Sequence, residues 1–234
     1  MATKKDNGKK KKKPYNKGDA YEDKIVELMR LRLILPNTFI RAGAGGGKDA
    51  LFIHNGKEYS LEIKNGLGAD YGQKMLTWNE DDKWTWCRDD IVTQFYTEAG
   101  ILDYVNKKNI VPRRFTVEKK LITPADKVAD QKAFEDRSRS VPGKSLLDYY
   151  SLRAVHYMQI GDGFGFYSLD DDPAQLGAKK LDLEFRLRLR CKTIHSNPAS
   201  NYGFYAVLKI LAKPEKSNYN LERRANQTFP PISP

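Results

Sequence analysis

Two carboxylates and a lysine lie on a segment whose pattern predicts a β-hairpin. Asn55-Gly56 favours a two-residue hairpin turn, because both positions tolerate a positive φ. With that turn, Asp49 lies directly opposite Glu62, and the Cβ atoms of such a pair are about 4.5–5.5 Å apart. Lys64 is two residues beyond Glu62 and therefore points to the same face of the hairpin. The spacing predicts a compact group of two acids and one base.

This group suits a divalent cation. Two opposed carboxylates repel each other unless a positive charge lies between them. Mg²⁺ prefers a few carboxylate ligands and keeps several waters, which leaves positions open for a substrate phosphate. A lysine beside such an ion can orient the attacking water, help to deprotonate it, or steady a phosphate oxygen. The alternative interpretation is an ordinary charge cluster on the solvent face of a hairpin.

A helix and a glycine-rich turn precede the hairpin and would position it. Residues 19–22 have a capping-box pattern with Asp in place of Ser or Thr, which predicts a helix start. Apolar residues at helical spacing follow, namely Tyr21, Ile25, Leu28, Met29 and Leu31. Pro36 predicts the end of this helix, and Phe39-Ile40 a short strand. The glycine-rich turn covers residues 43–47, and it would let another chain approach Asp49 closely.

The rest of the chain divides into a helical part and a β-rich part. Residues 70–110 have a more helical pattern, a helix is predicted from Thr123 to about Ser138, and a short one over 145–153. Residues 155–160 and 164–169 flank a Gly-Asp-Gly turn and predict two strands. Apolar and charged residues then alternate strictly over 181–192, which predicts a half-buried antiparallel strand with residues 202–211 as its partner.

Composition limits the class of protein. The 234 residues include no apolar run of about 18, so no membrane span is expected. Cys87 and Cys191 are far apart, which fits a reducing compartment and argues against a disulfide scaffold or a zinc site. The net charge is +11, and residues 1–17, with eight lysines and one acid, carry +7 of it. Such a tail has too little apolar surface to fold, and it favours salt-sensitive attraction to phosphate backbones.

These residues resemble the PD-(D/E)XK nuclease superfamily, whose signature is matched by Asp49, twelve intervening residues, and Glu62-Ile63-Lys64. Lys48 stands where the family often has Pro. Within that superfamily, residues 17–75 are similar to archaeal-type Holliday-junction resolvases, through a Lys17–Glu22 helix start, Arg41, the glycines and the motif itself. The remaining two thirds of the chain do not match a resolvase.

The resemblance implies metal-dependent hydrolysis of DNA phosphodiester bonds. Asp49 and Glu62 would hold Mg²⁺, with Mn²⁺ able to substitute, and the carbonyl of Ile63 would be a further ligand. Lys64 would act on the water. Glu22 would join the metal site directly or through water. Gln73 would match a catalytic glutamine that several branches carry on the helix after the motif.

Other motifs favour simpler interpretations. Gly45 to Ala50 formally fits a dinucleotide fingerprint, but a strand pattern follows where a helix is required. His54, His156 and His195 are scattered singly, so each is interpreted as a surface or satisfied core histidine, which argues against an HNH-type nuclease. The tryptophans at 78, 84 and 86 indicate core packing rather than base stacking. A stripe of basic residues is typical of a solvated strand face, and it consists of Arg186, Arg188, Arg190 and Lys192. Contact with DNA phosphates is the alternative interpretation of this stripe.

We therefore expect an α/β, restriction-endonuclease-like fold with a mixed central sheet flanked by helices and a β-rich C-terminal elaboration. Residues 1–17 would be a disordered basic tail, and residues 213–234 would be an extended C-terminal tail. Residues 18–212 would form one nuclease domain, with a catalytic core over about 18–110 and a β-rich extension over about 150–212. The first functional hypothesis is a restriction-like, site-specific endonuclease that forms a homodimer in the cytoplasm and associates with DNA. A junction resolvase and a non-catalytic DNA-binding protein are the alternatives.

Overall fold

A computed structural model describes residues 16–41, 48–141, 144–194 and 201–223. Its helices are α1 Lys17–Leu31, α2 Ile91–Glu98, α3 Ile101–Lys107, α4 Arg113–Thr116, α5 Pro124–Phe134 and α6 Lys144–Leu152, with a 3₁₀ turn over Lys119–Leu121. Its strands are β1 Ala50–His54, β2 Lys57–Lys64, β3 Gly72–Trp78, β4 Trp84–Trp86, β5 Ser140–Val141, β6 Tyr157–Ile160, β7 Gly165–Ser168, β8 Glu184–Thr193 and β9 Tyr202–Ala212. The fold is mixed α/β.

The strands form two sheets that each combine early and late parts of the chain. The four-stranded sheet has the order β1-β2-β6-β7, with β2 antiparallel to β1 and parallel to β6. The five-stranded sheet has the order β4-β3-β9-β8-β5, and all of its pairs are antiparallel. The predicted core (18–110) and extension (150–212) therefore share both sheets.

Two hydrophobic clusters form the core. The inner face of α1 presents Ile25, Val26 and Met29, all buried, to the four-stranded sheet, where Phe52 and Leu61 are fully buried. This is the period expected of a helix with one apolar face. The larger cluster joins the five-stranded sheet and helices α2, α3, α5 and α6 to Met158, Ile160 and Tyr167 of the four-stranded sheet. Its members include Trp84 and Trp86, with Trp78 packed against it, so the prediction of core packing for the tryptophans is confirmed.

Several predicted elements are confirmed. Thr123 caps α5 with a capping box, although the helix ends at Phe134 rather than near Ser138. The helix over 145–153 is α6, and the two strands around the Gly-Asp-Gly turn are β6 and β7. The alternating segment forms β8, and β9 is its antiparallel partner.

Other elements differ from the prediction. Helix α1 begins at Lys17, because Asn16 caps it and Asp19 is the third residue of the capping box rather than the first. Phe39-Ile40 is not a strand. Residues 72–78 and 84–86 are strands rather than helix, because β3 pairs with β9, far along the chain. The glycine-rich turn over 43–47 and most of the basic tail over 1–17 lie outside the described residues.

The segment after β9 packs on the domain as far as it is described. Tyr219 and Leu221 are buried in the cluster under the four-stranded sheet, and the Phe166 N–H donates to the Tyr219 carbonyl at 2.8 Å. Residues 213–223 thus belong to the folded domain rather than to a free tail. Among the described residues, no helix is both long and apolar enough to cross a membrane.

Candidate active site

The β1–β2 hairpin has the predicted turn and register. Asn55 and Gly56 have φ values of 49° and 72°, which is the left-handed region that a type I′ turn requires at both positions. His54 pairs with Lys57, and the last pair at the other end is Ala50 with Leu61. Asp49 therefore lies one step beyond the last pair, at the level of Glu62.

Asp49 reaches across to the motif strand. Its Oδ2 accepts a hydrogen bond from the Ile63 N–H at 2.9 Å. Ile63 thus contacts Asp49 through its N–H, whereas the resemblance implies a role for its carbonyl. Burial, and next the negative charge of Glu62, raise the pKa of Asp49 to about 6; Lys64 acts in the opposite direction. The two carboxylates are thus close enough to repel each other, as the register predicts.

Glu62 and Lys64 form a buried ion pair. Glu62 is only 3% exposed, and the Lys64 Nζ lies 2.5 Å from its Oε1. Burial acts to lower the pKa of Lys64, but the charges of Glu62 and Asp49 outweigh it and raise the pKa above its ordinary value. Lys64 therefore holds its proton in this arrangement. It can neutralise a phosphate or orient a water, but it is not poised as a general base.

Tyr150 of helix α6 and Arg153, just after the end of that helix, are two side chains of this site that the sequence did not identify. The Arg153 Nη1 lies 3.6 Å from Glu62 Oε2. The Tyr150 hydroxyl donates to the Tyr71 carbonyl at 2.8 Å, and its oxygen lies 3.4 Å from Glu62 Oε1. The Arg153 guanidinium also lies 5.8 Å from the centre of the Tyr150 ring. Glu62 therefore faces two cations: Lys64 is at its Oε1, and Arg153 is at its Oε2.

Glu22 lies at the edge of the same group. It is on α1, and the Arg41 Nη2 is 3.3 Å from its Oε2. Arg41 also contacts Asp19 and Asp23, so it holds the outer face of α1 to the segment that leads towards the hairpin. Burial, and next the charge of Asp49, raise the pKa of Glu22 to about 7. Glu22 thus interacts electrostatically with Asp49 while its carboxylate is engaged by Arg41.

Gln73 does not have the predicted location. It is on strand β3 of the five-stranded sheet rather than on a helix, and its Oε1 accepts a hydrogen bond from the Lys192 Nζ at 2.9 Å. In the described part of the chain no hydrogen bond joins it to Asp49, Glu62 or Lys64. The prediction of a helical glutamine is wrong because the segment after the motif pairs with β9.

His156 is a satisfied structural histidine, as its isolation in the sequence predicts. Its Nδ1 accepts from the Ser60 N–H at 3.1 Å and lies 2.9 Å from the Ser60 hydroxyl, which donates to the Ala154 carbonyl. Burial lowers the pKa of His156. These bonds attach the connection between α6 and β6 to strand β2, next to the motif.

The donor set at this site is compatible with a divalent cation. Glu62 Oε2 is a buried carboxylate oxygen that has no hydrogen-bond partner, and buried oxygens of this kind are normally satisfied. With Asp49 beside it, the pair offers the hard oxygen ligands that Mg²⁺ prefers. Within the described ranges, however, no three His, Cys, Asp or Glu side chains are grouped as a ready-made metal site. Lys64 and Arg153 balance the charge of the carboxylates instead.

Comparisons with protein-family models, with curated proteins and with solved structures gave no match.

Proposed function

We propose that this chain is a Mg²⁺-dependent endonuclease of the PD-(D/E)XK type that hydrolyses DNA phosphodiester bonds. The observation that carries the proposal is the meeting of Asp49 and Glu62 across the hairpin, with Lys64 on Glu62. In sequence these residues match the nuclease motif, and in space they form a buried acid pair with a lysine. An accidental charge cluster on a hairpin would be exposed, whereas Glu62 is buried.

The arrangement of elements also supports a restriction-endonuclease-like core. Helix α1 packs on the hairpin through its apolar face, and the motif strand β2 is central, antiparallel to β1 and parallel to β6. This mixed pairing places the end of β2 between two neighbours. The charged groups near that end are held by a rigid sheet, which suits a site that must keep its geometry.

Asp49 and Glu62 are the residues that would hold the metal ion. Glu22 would join through water, because Arg41 engages its carboxylate. The carbonyl of Ile63 stays a predicted ligand. A bound divalent ion would supply Lewis acidity and lower the pKa of a coordinated water.

The side chains of this chain would do the rest. Lys64, held protonated by its carboxylate neighbours, would neutralise the phosphate that is attacked and orient the water. Arg153 would be free to turn part of its guanidinium towards the same phosphate once a metal ion balances Glu62. Tyr150 would keep Glu62 in place from the buried side.

The expected partner is duplex DNA, and a homodimer would provide one active site for each strand. A restriction-like, site-specific activity is preferred, because the chain extends well beyond the region that resembles junction resolvases. A resolvase and a non-catalytic DNA-binding protein are the other outcomes of the test below.

The test is cleavage of linear duplex, supercoiled plasmid and a synthetic four-way junction, each with Mg²⁺ and with EDTA. We expect metal-dependent cleavage that Asp49→Asn, Glu62→Gln and Lys64→Met abolish. The matched controls are Asp81→Asn, Glu58→Gln and Lys57→Met, which make the same chemical changes at exposed positions. Discrete fragments of the linear duplex indicate a site-specific enzyme, and symmetric nicks confined to the junction indicate a resolvase. Cleavage that the three site variants leave unchanged, or none on any substrate, refutes the assignment.

A further inference from the structure

The outer face of the five-stranded sheet carries a row of cations. Strand β8 alternates between buried apolar side chains and half-exposed basic ones, so its basic residues all lie on one face. In the register of the sheet, Arg186 lies opposite Lys209 of β9. We call this surface the basic face; it consists of Arg186, Arg188, Arg190, Lys192 and Lys209.

The acids beside the basic face do not balance it. Asp70 is shared, with its carboxylate 3.4 Å from Arg190 and 2.5 Å from Lys209. In the described part of the chain, neither Arg186 nor Arg188 forms an ion pair. The Nε of Arg188 is buried and has no hydrogen-bond partner. The guanidinium of Arg188 is half-exposed on this positive surface and, among the described residues, forms no ion pair, so it is a position for an anion.

The environment of Arg188 is unfavourable to its own charge. Burial, and next the positive charges of Arg137 and Arg190, lower its pKa, while Glu135 compensates only in part. A sheet face that existed only for solubility would spread its charges or pair them, because like charges directly opposite each other on two strands, such as Arg186 and Lys209, are destabilising. The accumulation of guanidinium groups is explained if a polyanion covers them in the functional complex.

A cavity lies between the basic face and the end of the motif strand. It has a volume of about 640 Å³, and its lining includes Arg190 and Lys209 of the basic face. Lys17 at the start of α1, Asn65 and the carboxylates Asp70 and Asp162 also line it. Asn65 directly follows Lys64, so the cavity begins where the motif strand ends. A chain of phosphates lying on the basic face would enter the cavity beside the motif.

The dimensions suit a nucleic-acid backbone. Alternate residues of a strand are about 6.7 Å apart, so the row from Arg186 to Lys192 is about 20 Å long. Phosphates of one DNA strand follow each other every 3.4 Å or so along the helix axis, so this length corresponds to about six steps. Lys192 is held in the row by Gln73 and lies 4.6 Å from the centre of the Tyr205 ring.

We infer that the basic face binds the phosphate backbone of the DNA substrate and leads it into this cavity, beside the end of the motif strand. The inference rests on the proposed function for the identity of the polyanion. It gives Gln73 a role different from the predicted one: it would position Lys192 for backbone contact instead of taking part in cleavage.

The test is DNA binding by Arg186→Gln/Arg188→Gln, measured by fluorescence anisotropy with a labelled duplex in EDTA over a range of salt concentrations. Each phosphate contact that is lost lowers the slope of log K against log salt by about 0.9, so the slope should fall by about 1.8. At about 0.1 M salt we expect binding at least about tenfold weaker. The control, Lys119→Gln/Lys120→Gln, removes the same charge from an exposed turn and should bind like wild type.

The outcomes separate this inference from the proposed function. If the arginine double variant binds DNA as wild type does, with the same slope of log K against log salt, the inference about the basic face is overturned. This holds even if wild type cleaves DNA with Mg²⁺. Weaker binding in that variant, together with no cleavage by wild type, supports the basic face and refutes the nuclease. An equal loss of binding in the lysine control also overturns the inference. So does a loss that is seen with an RNA duplex but not with the DNA duplex. If the double variant does not fold, as judged by circular dichroism, Arg186→Gln alone should lower the slope by about 0.9, and an unchanged slope overturns the inference.

Discussion

Replacing Asp49 with Asn should stabilise the metal-free protein while abolishing its proposed activity. Asp49 is held beside Glu62 and partly buried, and both conditions disfavour its charged form, which is why its pKa is raised to about 6. Asparagine has nearly the same shape, carries no charge, and can still accept the hydrogen bond from the Ile63 N–H through its carbonyl oxygen. The substitution thus removes the repulsion and keeps the contact.

The raised pKa sets the size of the effect and its dependence on pH. The ordinary pKa is 3.8 and the folded value is about 6, so ionised Asp49 destabilises the folded state by roughly 3 kcal/mol when both states are ionised. The folded state binds the proton more tightly, so this penalty is full above pH 6 or so. It decreases as the pH falls through 6 and is absent below the unfolded value. Asp49→Asn should therefore gain about 3 kcal/mol at pH 8, and about half of that at pH 5.

Urea denaturation in EDTA at the two pH values measures this difference. For a chain of this size the gain at pH 8 corresponds to roughly 6–12 °C in melting temperature. Asp81→Asn, the same change at an exposed position, should be neutral at both pH values. A variant that is no more stable than wild type at pH 8, or that gains equally at pH 5, refutes the reasoning that Asp49 and Glu62 repel each other in the folded protein.

Adding Mg²⁺ extends the same experiment to the metal. A ligand at 100 times its dissociation constant stabilises the state that binds it by about 2.7 kcal/mol. Mg²⁺ should stabilise the wild-type protein by this amount, so that its free energy of unfolding nearly reaches that of Asp49→Asn. The variant itself should not be stabilised by Mg²⁺. If the variant is more stable in EDTA but Mg²⁺ has no effect on wild type, the electrostatic argument holds and the metal site is refuted.

Three further predictions concern the contacts around the site and the core. Arg153→Met removes the cation nearest Glu62 Oε2 and should destabilise the metal-free protein by about 1–3 kcal/mol at pH 8; an unchanged urea midpoint contradicts this contact. Asp130→Ala should cost at least about 3 kcal/mol in urea denaturation, because this buried carboxylate accepts two backbone N–H bonds and one from a tyrosine hydroxyl; a smaller loss means that water replaces them. The lowered pKa of His156 means that the unfolded state binds its proton more tightly, so stability should fall as the pH drops below about 6.5. His156→Asn, which can still accept from the Ser60 N–H, should lose less over that range, and an identical loss assigns the acid sensitivity to other groups.

The hairpin could be predicted from the sequence because its determinants are local. The two turn residues require positive φ, and the turn alone then sets which residues face each other. Asp49 and Glu62 are thirteen positions apart, yet their proximity follows from a two-residue signal. The alternation on β8 is equally local, and its prediction is confirmed.

What could not be predicted depends on pairing between distant segments. Gln73 follows the motif closely, but its strand is selected by β9, which supplies partners more than a hundred residues later. Local propensity cannot reveal such a partner, and the tertiary pairing overrides the helical pattern. The predicted role of Gln73 therefore rests on resemblance alone. The resemblance implies that Gln73 is on a helix, whereas it is on strand β3.

The contribution of Arg153 has the same non-local origin, and the structure shows how it arises. Strand β6 pairs in parallel with β2, with Tyr157 beside Leu61, so the last residues of α6 must lie near the start of that pairing. The hydrogen bonds between His156 and Ser60 attach the connection there. Arg153, the residue after the end of α6, can then reach Glu62, although α6 begins some eighty residues after the motif. A parallel strand pair thus places a second cation at the hairpin, which the pattern of the hairpin alone does not contain.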